Sequence, residues 1–233
     1  MSRILGVIPA RGGSKGIRRK NLRLLGERPL LTYTIAAAAE SIIDRVLVST
    51  DDKEIAAIAK KHGAEVPFMR PAELATDEAS SLSVLLHALN FCEANGDHVE
   101  IVVFLQPTSP FRSTRAIDDC VHLLETSEVD SVITVHEVTQ HPYFVYAMES
   151  DSRLQEVMPL KQKPLRRQDL PVWYNVADGL FASRRRYFKN IPPEAPVFNP
   201  FSVKGYVIDE MSALSIDTPM DLAWAEFVLS LQR

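Results

Sequence analysis

The segment Ile101–Leu105 is five apolar residues in a row, with none of the alternation of a strand that has one wet face. A strand of that kind is buried on both sides, so the run predicts a central strand in a sheet covered on each face. The rest of the chain supplies the cover. Residues 4–8 form a second apolar run that stops at Pro9, and 45–49 form a third. Between and after them lie helix patterns. One is an Ala-rich stretch over 30–40. Another starts at Asp51, with Glu54 three places on, buries Ile55, Ile58 and Ala59, and closes at His62-Gly63. A third opens at Thr76-Asp77-Glu78 and carries Leu82, Leu85, Leu86 and Leu89 at helical spacing, and a fourth spans 115–126. Residues 65–68, 131–136 and 179–182 read as further strands, the first of them weak. Thr218-Pro219 opens a final helix with Leu222, Ala225, Phe227 and Leu229. Strands alternating with helices in this order predict an α/β fold, a Rossmann-like, three-layer, mostly parallel sheet.

At 233 residues the chain reads as a single domain over 1–233 that buries a core without metal or disulfide staples. The rhythm breaks over 138–176, which is rich in Pro, Tyr and charge and has a basic cluster at 161–167. So long a stretch inside a compact domain predicts structure of its own, a projecting β arm that docks on a partner subunit. Cys92 and Cys120 lie in no ligand spacing, which argues against a disulfide framework and makes a reducing cytoplasm the expected setting. No apolar run is long enough to cross a bilayer. The apolar residues 4–10 are followed by Arg11 and Lys15, where a signal peptide would have small residues. Lys and Arg number 26 against 30 Asp and Glu, a net charge of −4 that argues against a general nucleic-acid binder.

The strongest local signal follows the first strand. Arg11-Gly12-Gly13-Ser14-Lys15-Gly16, continued by Arg18, Arg19 and Lys20, brings five cationic side chains into ten residues. Such a cluster is self-repulsive unless an anion lies within it, and glycine backbone lets N–H groups approach phosphate oxygens. A solvated basic turn is the competing reading. The spacing is neither a P-loop nor a dinucleotide fingerprint, so a polyphosphate is expected on a different motif. Ligands of open α/β sheets sit beyond the carboxyl ends of the strands. Ser49-Thr50-Asp51, Arg70-Pro71 and the Pro-stiffened Gln106-Pro107-Thr108-Ser109-Pro110-Phe111-Arg112 also fall there. Asp217 reads either as the cap of the last helix or, beside a polyphosphate, as a carboxylate for Mg²⁺, with Mn²⁺ as the alternative ion.

These motifs, in their order, resemble the acylneuraminate cytidylyltransferases, the CMP-sialic acid synthetase family. They are Ile8-Pro9-Ala10-Arg11-Gly12-Gly13-Ser14-Lys15-Gly16 with Lys20-Asn21, Ser49-Thr50-Asp51, Arg70-Pro71, Leu105-Gln106-Pro107-Thr108-Ser109-Pro110, Arg167-Gln168 and Ser215-Ile216-Asp217-Thr218. The resemblance covers essentially the whole chain. It implies the nucleotide-diphospho-sugar transferase type of fold, with CTP and a nine-carbon α-keto acid sugar giving a CMP-sugar and pyrophosphate. It also implies Mg²⁺ and a homodimer in which each subunit sends an arm into the other's site. Carried over by motif, Arg11 and Lys20 neutralise the triphosphate during the reaction. Ala10, Gly12, Ser14 and Lys15 belong to the same nucleotide loop, Asn21 holds the nucleotide sugar, and Arg70 and Ser81 read the cytosine edge. Gln106, with Thr108 and Ser109 of its loop, binds the acceptor. Arg167 with Gln168 takes the acceptor's carboxylate, and Asp217 holds the metal.

Three departures qualify the match. The family commonly has Asp-Ile-Asp where this chain has Ser215-Ile216-Asp217, so Asp217 acts through bridging water or another carboxylate assists, with Asp209 a candidate. Ala177-Asp178-Gly179 stands where the family has Asn-Gly or Asn-Ala. Tyr143-Phe144 follow His141-Pro142, as in the legionaminate and pseudaminate branch, and suit an acceptor with a deoxy, methyl-ended tail. The rivals are another acid acceptor such as a phosphonate or octulosonate, GTP in place of CTP, and a non-catalytic nucleotide-binding protein. His87 and Trp224 are expected to pack in the interior, Lys161, Lys163 and Arg166 to be solvated, and Trp173-Tyr174 either to line the sugar pocket or to anchor the dimer.

Overall fold

A computed structural model of the chain describes residues 3–159, 164 and 166–231. In chain order the elements begin with β1 (Ile4–Pro9), a short hairpin of β2 (Leu24–Leu25) and β3 (Arg28–Pro29), α1 (Leu30–Ala39), β4 (Arg45–Ser49) and α2 (Lys53–Lys61). Then come α3 (Ser81–Ala94), β5 (Ile101–Leu105), α4 (Thr114–Glu125) and β6 (Ser131–Glu137). A second hairpin of β7 (Tyr146–Met148) and β8 (Leu154–Glu156) precedes β9 (Tyr174–Arg184), β10 (Val203–Val207) and α5 (Pro219–Leu231). The main sheet has the order β10-β6-β9-β5-β1-β4. β1 pairs in parallel with β4 and β5, and β10 with β6, while β9 runs antiparallel between β5 and β6.

β5 lies inside this sheet and no residue of it is more than 2 % exposed. Successive side chains point to opposite faces. Ile101, Val103 and Leu105 join Ile8, Leu31, Ile35, Ile117 and Leu124 on the side covered by α1, α2 and α4. Val102 and Phe104 join Leu5, Val7, Leu85 and Leu89 on the side covered by α3. Ile17, Leu25, Leu30, Ile216 and Ala225 form a third, smaller cluster that fastens α5 to the β2–β3 hairpin. The three-layer architecture read from the sequence is the one observed.

Several local expectations need correction. The cap of α2 is Asp52, whose carboxylate accepts from the amides of Glu54 and Ile55 at 2.8 and 3.1 Å, rather than Asp51. α3 begins at Ser81 under a Ser80 cap, and Thr76-Asp77-Glu78 is loop. Residues 65–68 contribute one bridge, Leu47 to Glu65, in place of a strand. β9 is much longer than the expected 179–182, because it bends at a bulge opposite Ile133 and Val135 and continues along β6. β10 and the β2–β3 pair are additional. Trp224 is 53 % exposed and stacks on Phe227 at the surface of α5, since the buried face of that helix is carried by Ala225 and Val228.

Over 138–176 the structure contains the turn Pro142–Phe144, the β7–β8 hairpin, the turn Arg167–Asp169 and the first residues of β9. His141 is buried among Tyr143 and Trp173, with ring centroids 4.6 and 4.5 Å away, and its Nε2 lies 3.1 Å from the Pro171 carbonyl. Around this small cluster Val145, Tyr146, Met148, Leu154 and Val157 are exposed. Lys161 and Lys163 lie outside the described residues. Arg166 is exposed and pairs with Asp169 at 2.8 Å. Among the described residues no helix is long and apolar enough to cross a membrane. Truncating Phe104 to Ala is expected to lower the unfolding free energy by about 3–5 kcal/mol. Trp224→Ala is expected to change it by less than about 0.5 kcal/mol, and urea denaturation of the two variants checks the contrast.

Candidate active site

β1 is the strand at which the sheet order reverses, with β4 on one side and β5 on the other, both parallel to it. The loops leaving the carboxyl ends of β1 and β5 therefore diverge and leave a crevice between them. Arg11 opens one loop and Gln106 the other. The first loop is tied down where it leaves β1. Ala10, wholly buried, donates its amide to the Ser49 carbonyl at 2.9 Å, and Gly12 donates to Asp51 Oδ1 at 2.9 Å. Asp51 is thus a brace for the glycine loop, which explains why its neighbour caps α2. A Cβ on Gly16 would lie 2.1 Å from the Asp217 carbonyl oxygen, so only glycine lets this loop lie against the chain entering α5. Asn21, 7 % exposed, donates its side-chain amide to the Arg11 carbonyl at 2.9 Å and closes the loop from below.

Four of the five cations of the loop are held by carboxylates, in three groups. Arg11 reaches the Thr76 carbonyl at 2.8 Å and Asp77 at 2.7 Å, and Lys15 reaches the other oxygen of Asp77 at 2.9 Å. Lys15 first, and then Arg11, holds the Asp77 carboxyl below its ordinary range. Lys20 lies 2.8 Å from Asp217 Oδ1, and its side chain is only 15 % exposed, more enclosed than a solvent-facing loop would make it. Ser215 donates its hydroxyl to the other Asp217 oxygen at 3.2 Å. Arg19 turns away, at a left-handed φ of 55°, to pair with Asp52 and Glu54. Arg70 is buried, donating to Ser49 Oγ at 3.1 Å and to the Ser49 carbonyl. Burial, and after it the charge of Arg11, lower its pKa to about 10 against the opposing pull of Asp51.

Two adjoining cavities occupy the crevice. The first, about 290 Å³, is lined by Pro9, Arg11, Arg70, Thr76, Ser81 and Gln106, among others. The second, about 270 Å³, shares Ser81 and Gln106 with it and adds Asp178, Phe181, Pro196 and Phe198. Asp178 is exposed as a residue, and within the second cavity it is partly desolvated. That desolvation, and then the charge of Asp217, raise its pKa. The structure therefore brings together Arg11, Gly12, Lys15, Lys20, Asn21, Arg70, Ser81, Gln106 and Asp217, with Ser14 on the same loop. Thr108 and Ser109 turn inward, both hydroxyls buried without a partner among the described residues, and the Thr108 carbonyl accepts from Ile216 at 2.8 Å. Tyr143 packs within the arm, Phe144 and Gln168 are exposed there, and none of the three lines either cavity. Arg167 begins a turn of the arm, and its side chain lies outside the described part of the structure.

Asp209 is not the missing carboxylate. Its oxygens accept from the Ser212 amide and hydroxyl at 2.9 and 2.7 Å, and it lines a separate cavity beside Tyr206. The carboxylate that senses Asp217 is Asp178, which the sequence shows only as a departure from a family pattern, because the contact joins β9 to the chain before α5. Asp77 was equally hidden, its acidic pair with Glu78 mimicking a helix start.

A basic, glycine-lined loop and a buried guanidinium at the switch point of an α/β sheet define a nucleotide-binding protein of the nucleotidyltransferase type. Residues 5–181 match the family described as Cytidylyltransferase, and the chain belongs to that family. It is 34% identical over 234 residues to an N-acylneuraminate cytidylyltransferase of Escherichia coli, a match covering 100% of this chain and 52% of the relative, so the chain spans about half the length of that relative. It is 32% identical over 244 residues to a CMP-N,N'-diacetyllegionaminic acid synthase of Legionella pneumophila, covering 99% and 98% of the two chains. The fold is shared with a CMP:2-keto-3-deoxy-manno-octonic acid synthetase solved with CTP, at a TM-score of 0.73, 17% identity and full coverage of both chains.

A carboxyl whose pKa is raised in the folded protein favours folding when protonated, and that advantage disappears as pH rises through the raised value. Asp178→Asn is therefore expected to be more stable than the unmodified protein near pH 7, with the difference vanishing below the ordinary carboxylate range. Thermal unfolding of both proteins across pH 3–8 reads this directly.

Proposed function

We propose that the protein transfers CMP from CTP to the anomeric hydroxyl of a nine-carbon α-keto acid sugar, releasing pyrophosphate. The observation that carries this reading is the pair of adjoining cavities. One is walled by Arg11 and Arg70, the other reaches Asp178, and Gln106 and Ser81 stand on the boundary between them. The first suits a nucleoside triphosphate, with the Arg70 and Ser81 donors toward the cytosine edge. The second suits the acceptor. The names of the Escherichia coli and Legionella relatives support an acidic nonulosonate as that acceptor, and the latter supports a legionaminate-like sugar.

In the reaction the anomeric hydroxyl gives up its proton to water and its oxygen forms a bond to the α-phosphorus as the bond from that phosphorus to the pyrophosphate oxygen breaks. Positive charge around the transferring group and fixed alignment are most of what such a transfer asks of a protein. Arg11, Lys15 and Lys20 provide the charge. A divalent cation, Mg²⁺ or Mn²⁺, suits the donor set present. Asp178 and Asp217 repel one another across the site, and Mg²⁺ takes one or two protein carboxylates and completes its shell with phosphate and water. Such an ion would neutralise phosphate charge. Ser215 holds an Asp217 oxygen in this arrangement. The exposed apolar residues around the β7–β8 hairpin support a homodimer in which the 138–176 arm carries Tyr143, Phe144, Arg167 and Gln168 toward the partner's acceptor cavity. A soluble, cytoplasmic setting accords with the two free, buried cysteines.

The test is pyrophosphate release with each of four nucleoside triphosphates and a panel of neuraminate, legionaminate, pseudaminate and octulosonate. Release with CTP and a nonulosonate is expected. CTP binding without release on any acid would favour a non-catalytic nucleotide binder. Lys20→Ala is expected to lower kcat by about 10²–10³-fold in the same assay. Arg167→Ala is expected to raise KM for the sugar while that for CTP hardly moves. Asp178→Asn and Asp217→Asn are each expected to weaken Mn²⁺ binding, followed by the paramagnetic resonance of the free ion.

A further inference from the structure

Arg112 closes the loop that follows β5; its side chain is buried and stands in the wall of the separate cavity lined by Tyr206 and Asp209, behind the residues Gln106 and Gly179 that it contacts. One terminal nitrogen donates to the Gln106 carbonyl at 2.8 Å and also to the Gly179 carbonyl. The other donates to Thr34 Oγ1 at 3.3 Å. Nε is buried with no hydrogen-bond partner, and among the described residues no carboxylate forms an ion pair with this guanidinium. Burial accordingly pulls its pKa down to about 9. Burying a charge without an opposite charge is among the more expensive arrangements a fold can retain, and a neutral donor would suffice to close a turn.

What the guanidinium holds explains its presence. Leu105 and Leu180 are the last register pair between β5 and β9, and beyond them the ladder ends in a single bond from the Gln106 amide to the Gly179 carbonyl at 3.2 Å. Gln106 and Asp178 are both in the wall of the second cavity; Gln106 leaves the sheet at this point, and Asp178 lies where β9 parts from β5 at its bulge and goes on along β6. A Cβ on Gly179 would lie 3.0 Å from Ser109 Cβ and 3.3 Å from the Arg112 guanidinium, so the bend of β9, the loop and the cation are in close contact. The planar fork reaches the end of β5, the bend of β9 and α1 together, which a lysine, as a single point donor, cannot reproduce.

We infer that Arg112 is a positioning residue for the acceptor half of the site: by clamping the Gln106 and Gly179 carbonyls it fixes how Gln106 and Asp178 face the acid sugar. The inference rests on the proposed cytidylyl transfer for its kinetic consequence, but the clamp itself is read separately. The nucleotide wall made by Arg11 and Arg70 hangs on β1, β4 and the loop after them, and is not held by Arg112.

The experiment compares Arg112→Lys and Arg112→Met with the unmodified protein, varying CTP and the best acid sugar independently and following amide hydrogen exchange of the same samples. Both variants are expected to raise KM for the sugar, or to lower kcat, by about 10-fold or more, with KM for CTP within about threefold, since a small misplacement of a positioning group is enough for such losses. Exchange in peptides covering 105–109 and 175–180 is expected to accelerate while that of β1 and β4 is unchanged. Wild-type kinetics in Arg112→Lys would overturn the inference, as would parallel loss for both substrates with exchange rising throughout the sheet. Should Arg112→Met fail to fold, Arg112→Lys decides by the same readings. If the unmodified protein forms no CMP-sugar, the proposed function fails, whereas the exchange pattern still tests the clamp.

Discussion

β1 shares its backbone hydrogen-bonding groups with two parallel neighbours, and most of what the molecule can bind depends on that arrangement. Because β4 takes one edge and β5 the other, the loops after β1 and β5 separate where they leave the sheet, and polar groups placed on them face a common space. The arrangement is stable only because β5 is dry on both faces, with alternate side chains serving the α3 layer and the α1–α4 layer. Core and crevice are therefore two aspects of one constraint: the residues that make the strand central also make its end the floor of the site.

Charge is organised with the same economy. The basic loop does not rest on solvent alone. Asp77 gathers Arg11 and Lys15, Asp217 gathers Lys20, and Asp52 with Glu54 draws Arg19 away. Arg70 and Arg112 are buried with neutral oxygen acceptors only among their recorded hydrogen bonds. Of the two, Arg70 lines the first cavity, where its field is little weakened by water. Carbonyl and hydroxyl groups orient its guanidinium while leaving the charge available to a ligand.

Elements that depend on a local pattern were legible in the sequence. The apolar run of β4 and the double-faced run of β5 are found at their expected limits, and the Pro at the start of α5 marks that helix correctly. Patterns that several residues could satisfy misled. Asp51 and Asp52 are equally good caps, and Asp51 is taken by the Gly12 amide of the neighbouring loop, which leaves Asp52 to serve. Asp77-Glu78 offers acidic residues for a helix start, but Ser80 has the cap geometry. β10 carries Lys204 and Gly205 in an edge strand, so neither hydrophobicity nor alternation announces it. At the site, the glycine loop, Arg70, Gln106 and Asp217 were visible as motifs. Asp178 and Arg112 acquire meaning only from contacts between β9 and segments far away in the chain, which no spacing rule encodes.

Asp77 has a consequence for how the site responds to salt. A triphosphate that reaches Arg11 and Lys15 takes over partners already neutralised by a carboxylate of the protein itself. Binding at these two residues is then an exchange of anions, in which Asp77 returns to water as the nucleotide leaves it, and few small ions are released from the loop. The affinity for the nucleotide should accordingly fall less steeply with ionic strength than the number of cations in the loop suggests.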